Sequence, residues 1–303
     1  MAYPIIMVCA NLTPAQFLRL FCQGYNTRFM RYSASENRST VAFRQIYYHW
    51  PTYLMGYGGG AIFSIVVAII SFAQGWWSFI PLLLALLLVL TYFFVASLWL
   101  AYTRNEAEEA HLLLTWAQLS TTDSLAYLDL GQRHLALRLV SYLTTGKITI
   151  IDVYNPQLTA SAALARARTY TPPLPQGDPR IHGLEGSCDL LPLPDKCVPV
   201  VILPYILTEF WQHGDREQLL REVYRILKPG GRLILLESVR HPANVVLFGP
   251  LVWGRPAAAY WQTVLTQAGF SLRKEQSLQS GLTQAFRADK PVQYQNRQLD
   301  LGF

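Results

Sequence analysis

The chain is 303 residues long, with a mass of 34.3 kDa, 51% hydrophobic and 15% charged residues and a formal net charge of +6. That composition is too apolar for a disordered chain and too poor in charge for a wholly soluble globule. Four cysteines (Cys9, Cys22, Cys188, Cys197) form neither a disulfide framework nor a paired CxxC metal motif, which excludes a small secreted scaffold.

Residues 1–53 carry five arginines (Arg19, Arg28, Arg31, Arg38, Arg44) against Glu36, a local charge of +4. A basic patch beside an apolar hairpin suits an anionic membrane surface. No zinc-finger spacing or RNP-type aromatic motif is present, so no nucleic-acid partner is expected. Residues 13–32 begin with Thr13 as N-cap and Pro14 at the first helical position. Phe17, Leu18, Phe21, Tyr25 and Phe29 fall on one face, and two placements remain open: in the headgroup plane, or packed on the soluble domain. Residues 1–10 lack the basic start of a signal peptide.

Between Arg44 and Arg104 there is no Asp, Glu, Lys or Arg. Leu54–Phe72 and Phe79–Ala101 are apolar runs of 19 and 23 residues. At about 1.5 Å per residue each reaches roughly the 30 Å of a hydrocarbon core. Trp76 and Trp77 mark one interface; His49, Trp50, Tyr53, Trp99 and Tyr102 mark the other. We therefore expect a transmembrane helical hairpin over 54–101, in a multi-pass membrane protein with the lipid bilayer as partner. The arginine excess puts both termini and the following domain in the cytoplasm. The alternative is a hairpin buried in a soluble core. Gly56 and Gly60 form a GxxxG that would let the helices approach closely.

From 105 to 290, short apolar runs alternate with helical stretches, and 291–303 reads as a C-terminal tail. Strands are expected at 125–130, 147–153, 198–203 and 232–237, with two more near 270–275 and 283–288. Helices are expected at 105–119, 135–143, 160–170, 215–227 and 257–268. Lys228-Pro229-Gly230-Gly231 reads as a helix stop followed by a turn, and Pro-rich 171–179 reads as a loop. The alternation predicts an α/β fold, a doubly wound, mostly parallel, Rossmann-like sheet preceded by the all-α hairpin. Ligands in such sheets sit at the carboxyl ends of the strands. Asp129 ends the first strand and Gly131 follows it. Asp152 ends the second strand, where a carboxylate accepts ribose hydroxyls or caps the Asn155–Pro156 turn.

GSCDLLPLPDKCVPVVILPYILTEF over 186–210, followed by LLREVYRILKPGGRLILLE over 219–237 and WQTVLTQAGF over 261–270, resembles class I S-adenosylmethionine-dependent methyltransferases of the ubiquinone/menaquinone (type 11) kind. The resemblance covers roughly 105–290. It implies S-adenosyl-L-methionine as cofactor, held by Asp129, Gly131, Asp152, Val153, Ser187, Cys188 and Leu203, with Ser187 and Cys188 on the adenine side and Leu203–Tyr205 lining the pocket. It singles out no catalytic residue. The sequence departs from the family's DLGxGxG loop: Asp129-Leu130-Gly131-Gln132-Arg133-His134 is two residues shorter and has one glycine. Either Arg133 pairs with the cofactor's carboxylate, or these side chains fill the site. Ser187 also stands where an aspartate is common, and Pro199 where the family's FDVV has its own.

No HExxH or His/Cys cluster suggests a metal, no GxSxG anchors a hydrolase triad, and GxGxxG is absent. Glu209 and His213 read either as acid–base groups or as solvated residues at a helix start. The apolar stretch 240–255 suits an acceptor site, a membrane-lying lid or a loop packed on the domain. Together these features predict methyl transfer to a lipophilic small-molecule acceptor at the membrane surface, such as a quinone, an isoprenoid or a lipid. The alternative is a degenerate, non-catalytic protein that keeps the fold for partner binding.

Overall fold

In the computed structural model, residues 38–292 are described, apart from 160, 170, 172 and 176. The helix expected over 13–32 and most of the tail, 293–303, lie outside the described residues.

Helix α1 (Arg38–Tyr48) is followed by a helical turn at Trp50–Tyr53 and a π-helical turn at Leu54–Gly58, which lead into α2 (Gly59–Ala73). The chain reverses through Gly75, whose φ is +70°, and Trp76 N–H closes the turn on Ser71 O at 2.7 Å. A 3₁₀ turn (Trp77–Phe79) then opens α3 (Ile80–Thr103). Leu54–Ala73 and Trp77–Thr103 are long and apolar enough to cross a membrane, with mean hydropathy 1.9 and 2.7. Ile62, Phe63, Ile69, Leu82 and Leu88 on their outer faces are exposed. Among the described residues these faces form a contiguous exposed apolar surface. The seam between the helices buries Ser64, Ser71, Leu83 and Ser97. Ser64 and Ser97 spend their hydroxyls on Gly60 O and Phe94 O, at 2.8 and 2.7 Å. A Cβ on Gly60 would stand 3.1 Å from Leu90 Cδ1, whereas one on Gly56 would meet nothing, so only half of the GxxxG makes a close approach.

The remainder is a seven-stranded sheet in the order β3-β2-β1-β4-β5-β7-β6, parallel except for β7, which runs antiparallel to β5 and β6. The strands are β1 (Leu125–Asp129), β2 (Ile148–Asp152), β3 (Ile181–Glu185), β4 (Val198–Pro204), β5 (Leu227–Glu237), β6 (Ser271–Leu278) and β7 (Thr283–Asp289). The helices are α4 (Glu106–Ala117), α5 (His134–Val140), α6 (Ala162–Thr169), α7 (His213–Ile226), α8 (Pro242–Phe248) and α9 (Ala258–Gln267). This is the doubly wound, mostly parallel Rossmann-like architecture expected from the alternation. Pleating sends successive side chains of β1 to opposite faces. Ala126 and Leu128 pack with Leu219, Val223 and Trp261, while Leu125 and Tyr127 pack with Leu113, Trp116 and Leu139. Burial on both faces accounts for strands that read as continuous apolar runs.

Two features differ from expectation. Strand β3 lies at the sheet edge with little burial, so IHGLE carries no apolar run to announce it. Lys228–Gly231 is not a free turn: α7 ends at Ile226, and Leu227 passes directly into β5. Gly230, at φ +74°, donates to Lys290 O, and Lys290 N–H returns to Gly231 O. The β4–β5 register shifts between Val198 and Val200. Pro199 sits at that irregularity, where a missing ladder donor costs least.

The N-terminal helices and the sheet-bearing part meet through Ala42, Ala101, Val252 and Leu282, which are buried together. Arg166 on α6 donates twice to Tyr48 O at the end of α1, at 3.0 and 2.7 Å. Part of the 240–255 stretch is α8, whose Asn244 is buried and donates to Val239 O and Leu282 O at 2.8 and 2.9 Å.

Candidate functional site

Strand order reverses between β1 and β4, and the crevice outside their carboxyl ends is where such sheets bind ligands. The β1–β2 register sets Asp129 beside Asp152, with Gly131 just past the strand end at φ +95°. Only glycine adopts that conformation without cost, which explains the glycine that the shortened loop retains. Gln132 N–H donates to Asp129 Oδ1 at 2.9 Å, and burial pushes the Asp129 carboxyl up to about 6.

The side chain over this loop is one that the sequence did not single out. Arg168, in the last turn of α6, grips Asp152 with both ends of its guanidinium: Nη1 to Oδ1 at 2.9 Å and Nη2 to Oδ2 at 3.0 Å. Nη1 also donates to Leu130 O at 2.7 Å, and the guanidinium carbon lies 4.0 Å from the centroid of the Tyr154 ring. A Cβ on Gly131 would fall 2.6 Å from Arg168 Nη1 and 2.8 Å from Cγ. The Thr171 hydroxyl donates to Gly131 O beside it. Arg133 Nε stands 3.5 Å from Asp129 Oδ2, and its Nη2 lies 3.6 Å from Asp152 Oδ2. Of the two roles open to Arg133, the structure shows a side chain drawn into the niche. The main occupant, however, is Arg168, and His134 lies in a separate cavity lining. Asp152 Oδ1 also accepts from Tyr154 N–H at 3.1 Å, so it serves partly as the turn cap that was its other reading.

An adenosyl group needs a carboxylate for its ribose, close backbone approach at the first loop and an aromatic or apolar wall. Asp152, Gly131 and Tyr154 supply these. The Arg168 guanidinium lies against all three and closes the niche they form. Three other expected cofactor residues, Val153, Cys188 and Leu203, have their side chains in the hydrophobic core, and burial pushes the Cys188 thiol up to about 11. At the end of β4, Pro204 and Tyr205 line open space. Ser187 Oγ accepts from Asp189 and Leu190 N–H, both at 3.2 Å, and so shapes its own turn.

Beside α1 and β1 lies a cavity of about 120 Å³. Val41, Arg44, Tyr48 and His49 wall it from α1 and its C-terminal end, and Asp129, His134, Tyr205, Glu209 and Arg255 from the sheet-bearing domain. Tyr205 has φ +55°, unusual for a bulky residue, and its hydroxyl donates to Glu109 Oε1 at 2.5 Å. Thr283 Oγ1 lies 2.8 Å from that hydroxyl, and Arg104 stands 4.8 Å from the ring centroid. Such backbone outliers cluster at functional sites; nothing in a lone tyrosine at a strand end signals one. Burial, assisted by Arg255 for His49 and by Arg44 for His134, lowers both imidazoles to about 3, so both are neutral at pH 7. Burial raises the Glu209 carboxyl against the pull of Arg255. His213 is exposed at the start of α7 and bonds Tyr260 Oη at 2.6 Å, the setting of its reading as a solvated residue at a helix start.

Glu237, at the end of β5, is fully buried and accepts from Leu207 N–H at 2.7 Å and from the Thr208 hydroxyl. Burial raises it from 4.5 to about 7. The folded protein therefore holds this proton more tightly than the unfolded chain does. Glu237's contribution to stability is complete below pH 4.5 and is lost as pH rises through about 7. At about 1.4 kcal/mol per unit, the loss is on the order of 3 kcal/mol. Unfolding curves of wild type and Glu237→Gln across this window should diverge accordingly, with the variant insensitive to that titration; parallel curves would refute the assignment.

Residues 128–235 match the family model described as "Methyltransferase domain". The chain is 29% identical over 100 residues to the mitochondrial 2-methoxy-6-polyprenyl-1,4-benzoquinol methylase of Dictyostelium discoideum, covering 33% of this chain and 30% of that one. It is 29% identical over 139 residues to the demethylmenaquinone methyltransferase of Thermus thermophilus, covering 46% and 54%. The chain thus spans from under a third to about half of the length of these curated relatives. Among solved structures, human N-acetylserotonin methyltransferase in complex with S-adenosylmethionine aligns at 22% identity and TM-score 0.45, over 65% of this chain and 56% of that one. A methyltransferase from Aquifex aeolicus aligns at 16% identity and TM-score 0.46, over 59% and 88%. The stretch from β1 to most of β5 thus resembles a methyltransferase domain, and the curated relatives that share it are named as methyltransferases.

Proposed function

We propose that this chain is a membrane-anchored enzyme that methylates a quinone-like, lipophilic acceptor at the cytoplasmic surface of a bilayer, using S-adenosylmethionine. The observation that carries the reading is the pairing of Asp129 with Asp152 around Gly131 at the switch point, inside the stretch that matches the methyltransferase family. The quinol and menaquinone substrates in the relatives' names support the acceptor class. The exposed apolar hairpin supports the location, and the arginines before the first span support the orientation. When bound, the cofactor supplies a methyl already activated on a sulfonium, so the protein's part is chiefly alignment. Asp152 and Gly131 would hold the adenosyl end. The acceptor must lose a proton, and the buried carboxyls of Asp129 and Glu209, both raised by burial, are placed to hold it.

A second reading, a non-catalytic protein that retains the fold for a partner, is favoured by one observation: the guanidinium of Arg168 in the ribose position. Calorimetric titration of the detergent-solubilised full chain with S-adenosylmethionine separates the two. The enzyme reading expects saturable heat, followed by transfer of labelled methyl to a prenylated quinol in lipid nanodiscs. Absence of heat and of any thermal shift at millimolar cofactor would establish the second reading.

A further inference from the structure

We infer that the cavity between α1 and the ends of β1 and β4 receives the hydroxyl-bearing ring of a bilayer-resident quinol, and that α1, which leads into the apolar hairpin, forms one wall of this binding site. The inference rests on the membrane-anchored reading above and adds to it a place and a polarity for the acceptor.

Three polar atoms on the cavity wall are buried without a hydrogen-bond partner, Glu106 Oε2, Asp129 Oδ2 and His134 Nδ1, the second having only Arg133 Nε beside it at 3.5 Å. Asp129 and His134 are each more than nine-tenths buried. Buried polar groups are normally satisfied, so a cluster of orphans around one space calls for a polar occupant. Two of the three belong to carboxylates, which accept and do not donate. Their complement is a ligand bearing O–H groups. Arg44 is paired with Glu106, Arg104 stands 3.8 Å from Glu109 and Arg255 acts on Glu209, so each arginine of the wall already faces a carboxylate. A small dihydroxy ring fits both the size of the cavity and this distribution of acceptors.

The position supplies the rest. Tyr48 and His49 line the cavity and directly precede the turn into the first apolar helix. Arg104 lines it and directly follows Thr103, the last residue of the second. The cavity therefore stands at the level where both apolar helices end. A ring held there leaves its tail free to run back along the hairpin.

The test uses the full chain in phosphatidylcholine/phosphatidylglycerol nanodiscs and equilibrium binding of a radiolabelled benzoquinol with a decyl tail. Val41→Trp fills the cavity from α1, and Glu106→Gln replaces one orphaned acceptor at constant shape. Each is expected to weaken binding by about tenfold or more, with the thermal midpoint reporting that the fold is kept. A wild type that does not retain the quinol, or a folded Glu106→Gln protein that binds it with unchanged affinity, overturns the inference. Methyl transfer is scored separately. Binding that obeys both variants without any transfer leaves the cavity standing and removes the enzyme reading; transfer that ignores both variants does the reverse.

Discussion

Replacing Arg168 by alanine is expected to tighten the binding of S-adenosylmethionine by about tenfold while lowering the stability of the unliganded protein. The guanidinium makes a bidentate pair with Asp152, a bond to Leu130 O and a stack on Tyr154, and all of these must break before a ribose can enter. The Arg168 side chain is 28% exposed and that of Asp152 14%, so solvent screens the pair, and its closure is worth about 1–2 kcal/mol. A site competent only in a minor open state shows an affinity reduced by the open fraction, and removing the plug restores it. Titration calorimetry on wild type, Arg168→Ala and Asp152→Ala reads this directly. Asp152→Ala should lose about a hundredfold, since two hydroxyl bonds to a charged acceptor disappear. Equal affinities for wild type and Arg168→Ala would mean that Arg168 does not stand in the way.

Gly131→Ala is expected to cost about 3 kcal/mol of stability and to abolish cofactor binding. A φ of +95° strains any L side chain, and the new methyl would sit within 2.8 Å of two Arg168 atoms. The two contributions separate in a double-mutant cycle. Combined with Arg168→Ala the clash vanishes and the backbone strain remains, so the double variant should be about 1 kcal/mol more stable than additivity predicts. Cofactor binding should stay lost, because the methyl itself occupies the close approach. Strict additivity in urea unfolding would show that Arg168 does not pack on this glycine.

The sequence made some of this legible and hid the rest for identifiable reasons. Strand ends are readable because buried parallel strands are apolar runs ending in a polar residue, so Asp129, Gly131 and Asp152 were found where they stand. The lone glycine of the shortened loop was also informative, since it marks the position with positive φ. Arg168 was invisible because its meaning depends on the path of α6, which brings it back to a loop almost forty residues earlier in the chain. In sequence it is one arginine of an alternating Ala-Arg stretch. Val153, Cys188 and Leu203 were placed by analogy with the family, and their side chains are buried in the core. The anchor-walled cavity required knowing that α1 and the start of α4 close over β1, which no local pattern encodes.

The two arginines of α6 stand two positions apart and therefore point to opposite sides of the helix. Arg166 is fastened to the carbonyl of Tyr48, and Arg168 reaches into the niche. Withdrawing the helix as a rigid rod would tear both bonds of Arg166, whereas swinging the Arg168 side chain costs none of them. The helix is thus a fixed pivot and the guanidinium a latch turning on its own torsions. Exposed and half-exposed side chains reorient in picoseconds to nanoseconds, far faster than domain hinges. Latched and unlatched forms should accordingly share one backbone trace, and the distinction between them would lie entirely in side-chain density.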